Sequence, residues 1–315
     1  MMWATKNQTR FPGVFRRPRR AVSIGALIAV LLVPTLAQAG QDCTARRPDA
    51  AAMARDLDLA ASVAQQLDER FHRDGVELIL LARAGQDLSR HGLRYSHLGI
   101  AYRDHAAVGG RGAWRVVHKL NACGSDRSTL HRQGLAEFFS DGLFRHVAGV
   151  AVIDGLPATS RALSTLQDNG LLAQLHEPRY NMVAYPWSGP YQQSNQWALE
   201  TLAALADPAV TSRHQARSWL RRHGYQAGVV HVTALERLGA RVGTAHISFD
   251  DQPFGQRMAG RIETVTVDSM FSWLPGSGLG RVLPEMRIRQ EHRGEEPAPR
   301  PPLPALPSLP QSRAI

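Results

Sequence analysis

The stretch RYSHLGIAY, residues 94–102, is an apolar run of strand character with a histidine, His97, set into it. β-Branched and aromatic side chains suit a pleated, half-buried surface, so a histidine in their place needs a reason. Either His97 bonds a carbonyl at the mouth of a strand, or it is a general base aimed at a nucleophile elsewhere in the chain. The flanking segments set the frame. VELILLARAG (76–85) and AWRVVHKLN (113–121) also read as strands, the second preceded by the turn residues Gly109, Gly110 and Gly112. Ahead of them, residues 51–75 place Met53, Leu57, Ala60, Ala64, Leu67 and Phe71 at helical spacing, and Gly75 stops the helix.

Downstream, STLHRQGLAEFF (128–139) reads as a short helix, HVAGVAVI (146–153) as a strand and PATSRALSTLQDNGLLAQL (157–175) as helical. Residues 176–207 change character within the segment. Their first half is turn-forming and aromatic, with Tyr180, Tyr185, Trp187 and Tyr191 among prolines and glycines. Their second half, opening at Ser194, is an apolar helix carrying Trp197. An aromatic loop delivered to a helix start often builds a site. SRHQARSWLRRHG (212–224) is a further helix, and ARVGTAHISF (240–249) and RIETVTVDSMF (261–271) read as late strands of the same sheet or of a small second lobe. The pattern is α+β, in one domain over 40–294. No internal repeat breaks it.

The ends of the chain read differently. Five arginines in RFPGVFRRPRR precede an apolar core that closes on the small-x-small site Ala37-Gln38-Ala39, the three-part design of a secretory signal peptide cleaved before Gly40. The apolar part is shorter than the roughly 20 residues of a membrane span, and Pro34 interrupts it. Export predicts a periplasmic or secreted protein with no transmembrane segment after cleavage. Six of the 37 Lys and Arg residues fall in that leader, leaving 31 against 27 acidic residues, which argues for solubility and against a nucleic-acid partner. Cys43 and Cys123 are the only cysteines, and in an oxidising compartment they read as one disulfide. Residues 295–315 hold seven of the 19 prolines and read as a disordered, proline-rich tail.

The histidine strand followed much later by a helix-start nucleophile resembles the circularly permuted branch of the papain-like NlpC superfamily. Ser96-His97-Leu98-Gly99-Ile100 and Gln193-Ser194-Asn195-Gln196-Trp197 carry the likeness. It implies a papain-like fold with His97 as base, His118 as the residue orienting its ring, and Ser194 at the nucleophile position, where that superfamily has cysteine. The helix-start N–H groups near Asn195, helped by Gln193, would stabilise an oxyanion. Serine lacks the easily formed thiolate and works only if a base takes its proton. Over nearly the whole mature chain, LRYSHLGIAYRD, VVHKLNACG, YNMVAYPWSGPYQQSNQWALE, LGARVGTAHISFDDQPF and GRIETVTVDSMFSWL resemble the domain-of-unknown-function 2145 family of exported bacterial proteins.

Two functional readings stand. One is a serine-variant hydrolase acting on amide or ester bonds of cell-envelope material, peptidoglycan or lipid. The other is a catalytically inactive periplasmic protein that binds an envelope component or another protein through a cleft lined by Tyr185, Trp187, Tyr191 and Trp197. Neither calls for a cofactor. A zinc site from His97, His118 and His246 or Asp250 lacks the usual ligand spacing, and Asp250-Asp251 reads as a polar turn. Ser194 as a plain helix cap, and both histidines as core residues bonded to carbonyls, are the structural alternatives.

Overall fold

LILLARA shows no polar alternation because both of its faces are covered. In the computed structural model, which describes residues 49–289 apart from Cys123, Thr244 and Ala245, helix α1 (Ala50–Asp74) leads to strand β1 (Leu78–Ala84), buried throughout. Strands β2 (His97–Asp104), β3 (Ala113–Asn121) and β4 (Ser128–Gly134) follow, then helix α2 (Leu135–Phe139) and strand β5 (Arg145–Ile153). Four helices come next: α3 (Thr159–Gln167), α4 (Asn169–Gln174), α5 (Ser194–Ala206) and α6 (Arg213–Arg222). Strand β6 (Gly228–His231), helices α7 (Ala234–Gly243) and α8 (Phe254–Met258) and strand β7 (Arg261–Thr264) form a small lobe. Helix α9 (Val267–Ser277) and strands β8 (Gly280–Val282) and β9 (Met286–Arg287) complete the described chain.

Seven strands make one antiparallel sheet in the order β4-β3-β2-β1-β5-β8, with β9 also pairing β5, while β6 and β7 pair separately. Because successive side chains in a strand point to opposite faces, the sheet sorts its residues by parity. Leu78, Leu80, Leu98, Ile100, Tyr102 and Val117 face one way, into a core with Trp197, Leu199 and Leu202 of α5. Ile79, Leu81, Ala101, Val116 and Val150 face the other, against Leu59, Val63 and Leu67 of α1 and Phe138 and Phe139 of α2. The fold is α+β with helices on both faces of the sheet.

Several sequence expectations need correction. STLHRQGLAEFF is not one helix: its first half is β4 and only its end is α2, which begins where the Glu137 carboxylate accepts from Gly134 N at 3.1 Å. Asp168 divides the 157–175 helix into α3 and α4 by accepting from Gly170 N. The described residues of ARVGTAHISF form no strand: Arg241 to Gly243 close α7 and His246 to Phe249 are irregular. RIETVTVDSMF is strand only as far as Thr264. Thr266 then caps α9, its hydroxyl accepting from Ser269 N at 3.0 Å. In α1 the buried face runs through Leu59, Val63 and Leu67, and Leu57 is exposed. The expected leader (1–39), Cys43, Cys123 and the tail (295–315) lie outside the described residues.

Candidate functional site

His97 opens β2 with the parity of Ala101, and His118 sits on β3 with the parity of Val116, so both rings lie on the α1/α2 side of the sheet. They meet there. His97 Nε2 is 2.8 Å from His118 Nδ1, and His118 Nε2 is 2.7 Å from Gln133 Oε1 on β4. The Phe138 ring of α2 stands edge-on to His118 at 5.2 Å. If the Gln133 oxygen accepts from His118 Nε2–H, then His118 Nδ1 is the acceptor for His97 Nε2–H, and both rings are neutral. Burial enforces that state: it pushes His97 well below its ordinary range and His118 down to about 3, and the nearby Arg83 guanidinium adds to both shifts. Arg83 is itself buried, pairs with Asp141 and donates to the Phe138 carbonyl.

The glycine of the Ser-His-Leu-Gly-Ile run has a local cause. A Cβ at Gly99 would lie 2.5 Å from Val116 Cγ1 and 3.1 Å from His118 Cβ. Gly99 is the space in which β3 presents His118 to His97.

Ser194 is elsewhere. It is the first residue of α5, whose core partners are on the opposite sheet face, and its hydroxyl is 3.5 Å from the Tyr180 hydroxyl. No hydrogen bond joins it to His97 or His118. The structure therefore brings the two expected histidines together and separates them from the expected nucleophile. The N-cap is Gln193, not Ser194. Gln193 Nε2 donates to Thr264 Oγ1 at 2.6 Å and to Val265 O at 2.7 Å, and Asn195 Nδ2 reaches Val265 O at 3.5 Å. The amides expected to support an oxyanion thus tie the start of α5 to the segment joining β7 and α9.

Beside Ser194's helix lies a polar network that the sequence reading missed. Lys119, next to His118 but of opposite parity, is fully buried on the α5 side and donates to Glu177 O at 2.7 Å and Gln192 Oε1 at 2.9 Å. Gln192 donates to Glu200, which also receives Arg213 Nε at 2.8 Å and lies 3.6 Å from Arg217. Desolvation drives the Lys119 amine down to about 6. Its bonds run to Glu177 and Gln192, not to Ser194. The signal was available: Lys119 is the only lysine after Lys6, placed next to His118 after the apolar pair Val116-Val117.

The aromatic residues divide. Trp197 is fully buried in the core and lines no cleft, because α5 is covered on every side. Tyr185, Trp187 and Tyr191 are half-buried. Arg221 lies over the Trp187 ring at 4.6 Å and Arg179 over Tyr191 at 4.7 Å. Asp250 accepts from the Tyr191 hydroxyl at 3.0 Å, and Asp251 from Tyr185 N at 2.8 Å and the Ser188 hydroxyl at 3.1 Å, so the acidic pair anchors the aromatic loop. His246 joins the same loop through its carbonyl, which accepts from Met182 N. Among the described residues no three His, Cys, Asp or Glu side chains form a group that could hold a metal. Nor is any described helix long and apolar enough to cross a membrane.

Residues 70–274 match the model of a family described as an uncharacterized protein conserved in bacteria, DUF2145. No curated protein and no solved structure matches the chain.

Proposed function

Because the chain belongs to this uncharacterised bacterial family, we propose from the site itself that it is an exported, non-catalytic binding protein of the cell envelope. One observation carries the non-catalytic part of this reading: the histidine pair and Ser194 lie on opposite sides of the sheet. A serine hydroxyl is a weak nucleophile without a base in hydrogen-bond reach. Register accounts for the separation of the histidines from Ser194. In a strand a one-residue offset turns every side chain to the other face, and the residues that β2 and β3 present toward α5 are Leu98, Ile100, Tyr102, Val117 and Lys119. The binding face is the loop of Tyr185, Trp187 and Tyr191 with its stacked arginines, a surface suited to sugar rings and carboxylates such as those of peptidoglycan.

A serine-directed fluorophosphonate probe tests the catalytic side. No labelling of Ser194 is expected, and labelling that disappears in both Ser194→Ala and His97→Ala would restore the hydrolase. Cosedimentation with peptidoglycan sacculi tests the binding side. Trp187→Ala with Tyr191→Ala should weaken retention about tenfold or more, given the weight aromatic anchors carry in binding. Export and disulfide pairing belong to the same reading. The intact mass of the exported protein should start at Gly40, and unfolded, unreduced protein should show no reactive thiol at Cys43 or Cys123. A lipid on Cys43, a retained leader or two free thiols would contradict it.

A further inference from the structure

The β6–β7 lobe carries large apolar side chains in solvent. Leu235 and Leu238 on α7 are 68% and 61% exposed, and Phe254 and Met258 on α8 are 70% and 59% exposed. The spacings of three and four residues put each pair on one face of its helix. The start of α7 and the end of α8 lie at the same end of the ribbon. α7 begins just after β6 and α8 ends just before β7, and Val232 N donates to Gly260 O at 2.8 Å across that end. Arg237 of α7 reaches Val232 O at 3.3 Å, within the same corner.

The charge around these tips is one-sided. Among the described residues Arg237, Arg257 and Arg261 make no ion pair; they bond neutral partners, Val232 O, Phe249 O and the Gln256 side chain. Other acids of the lobe have partners of their own. Glu236 is held by the Thr233 hydroxyl and lies 3.5 Å from Arg90, and Asp250 and Asp251 hold the aromatic loop. Protruding Leu, Phe and Met side chains among arginines bonded to neutral partners are the pattern of a helix that rests in a bilayer interface. There apolar burial supplies attraction, and each cation near an anionic headgroup adds to it.

We propose that α7 and α8 form a membrane-docking surface that places the protein on an anionic lipid leaflet. This surface shares no residue with the aromatic loop, so the fluorophosphonate and sacculus results do not bear on it. The exported protein is mixed with vesicles of phosphatidylcholine alone or with added phosphatidylglycerol and sedimented. It should pellet with the anionic vesicles, less as salt rises. Leu235→Ser with Leu238→Ser should lower partitioning about tenfold or more, since two apolar tips leave the interface. Phe254→Ser with Met258→Ser should do the same, and Arg257→Gln with Arg261→Gln should remove the preference for anionic vesicles. All these side chains are exposed or half-buried, and unchanged melting of each variant shows that folding is intact. Wild type that stays in the supernatant with both vesicles, or pairs of variants that pellet like wild type, overturns the proposal. So does a dimer in solution that Leu238→Ser dissolves while lipid binding is absent, which assigns the surface to a second copy of the chain.

Discussion

A neutral histidine pair inside a protein ties its stability to pH. His118 is held neutral down to about 3 in the fold, whereas an unfolded histidine titrates near 6.5. Between those values the unfolded chain binds the extra proton, so stability falls as the pH drops from about 6.5 toward 3 and is unaffected by this group above it. His97, also pushed well down by burial, adds in the same direction. His118→Gln removes one of these sites while keeping a polar side chain beside Gln133. Denaturant unfolding at pH 7 and at pH 4.5 should then show a smaller acid loss in the variant than in wild type; parallel losses would mean that His118 does not take up a proton on unfolding. Gly99 gives a second expectation at this scale. Gly99→Ala sets a methyl group 2.5 Å from Val116 Cγ1, and overpacking of that kind costs about 1–3 kcal/mol, readable as a lowered melting temperature. His97 stood out in the sequence because it interrupts an apolar run. Its side of the sheet did not. With both faces of β2 buried, nothing in the amino-acid pattern says which face α5 covers.

At the scale of elements, the legible parts were those with long, one-signed patterns. β1, β2, β3 and β5 are apolar runs bounded by turn residues, and α1, α5 and α6 hold helical spacing over ten residues or more. Two of the misread parts are short joints at which strand becomes helix, β4 into α2 and β7 into α9, where a single cap outweighs the run around it. The polar network under α5 was illegible because its members are far apart in sequence. Lys119 comes from β3, Gln192 from the loop, Glu200 from α5 and Arg213 from α6. Breaking such a buried network by removing one ion is expensive, since the partners stay behind without compensation. Glu200→Gln leaves Arg213 and Arg217 unbalanced and should cost about 3–5 kcal/mol. Lys119→Met keeps the apolar stem but strands Glu177 O, for about 1–3 kcal/mol, while Gln192 Oε1 still accepts from Glu177 N at 3.0 Å. In the double variant the two losses should not add, because both act through Gln192. Additive losses would show that Lys119 and Glu200 stabilise α5 independently.

Across the whole molecule, the folded unit is wider than the segment that defines its family. The matched residues begin inside α1 and end inside α9, yet β8 and β9 complete the sheet along β5 and β9 packs back on α1. Met286 is 2% exposed in the core under α1, Gln66 Nε2 reaches Arg287 O at 3.4 Å, Arg289 N donates to the Ser62 hydroxyl at 2.9 Å, and the Arg289 guanidinium grips Glu69. The two ends of the described fold thus close on each other. The approach is tight at the point where the chain turns onto the sheet: a Cβ at Gly280 would lie 2.0 Å from Val152 O, so no other residue fits without moving β5. An open β5 edge would present unpaired backbone groups beside apolar surface, a template for aggregation. Truncation after Leu279 removes both edge strands and the lid over α1, and should yield protein that aggregates or melts without a cooperative transition. Truncation after Arg289 keeps both strands and should melt cooperatively. If the shorter chain also folds to a cooperative monomer, by calorimetry and light scattering, then the chain up to Leu279 carries the stability alone and the closing strands are an appendage to it.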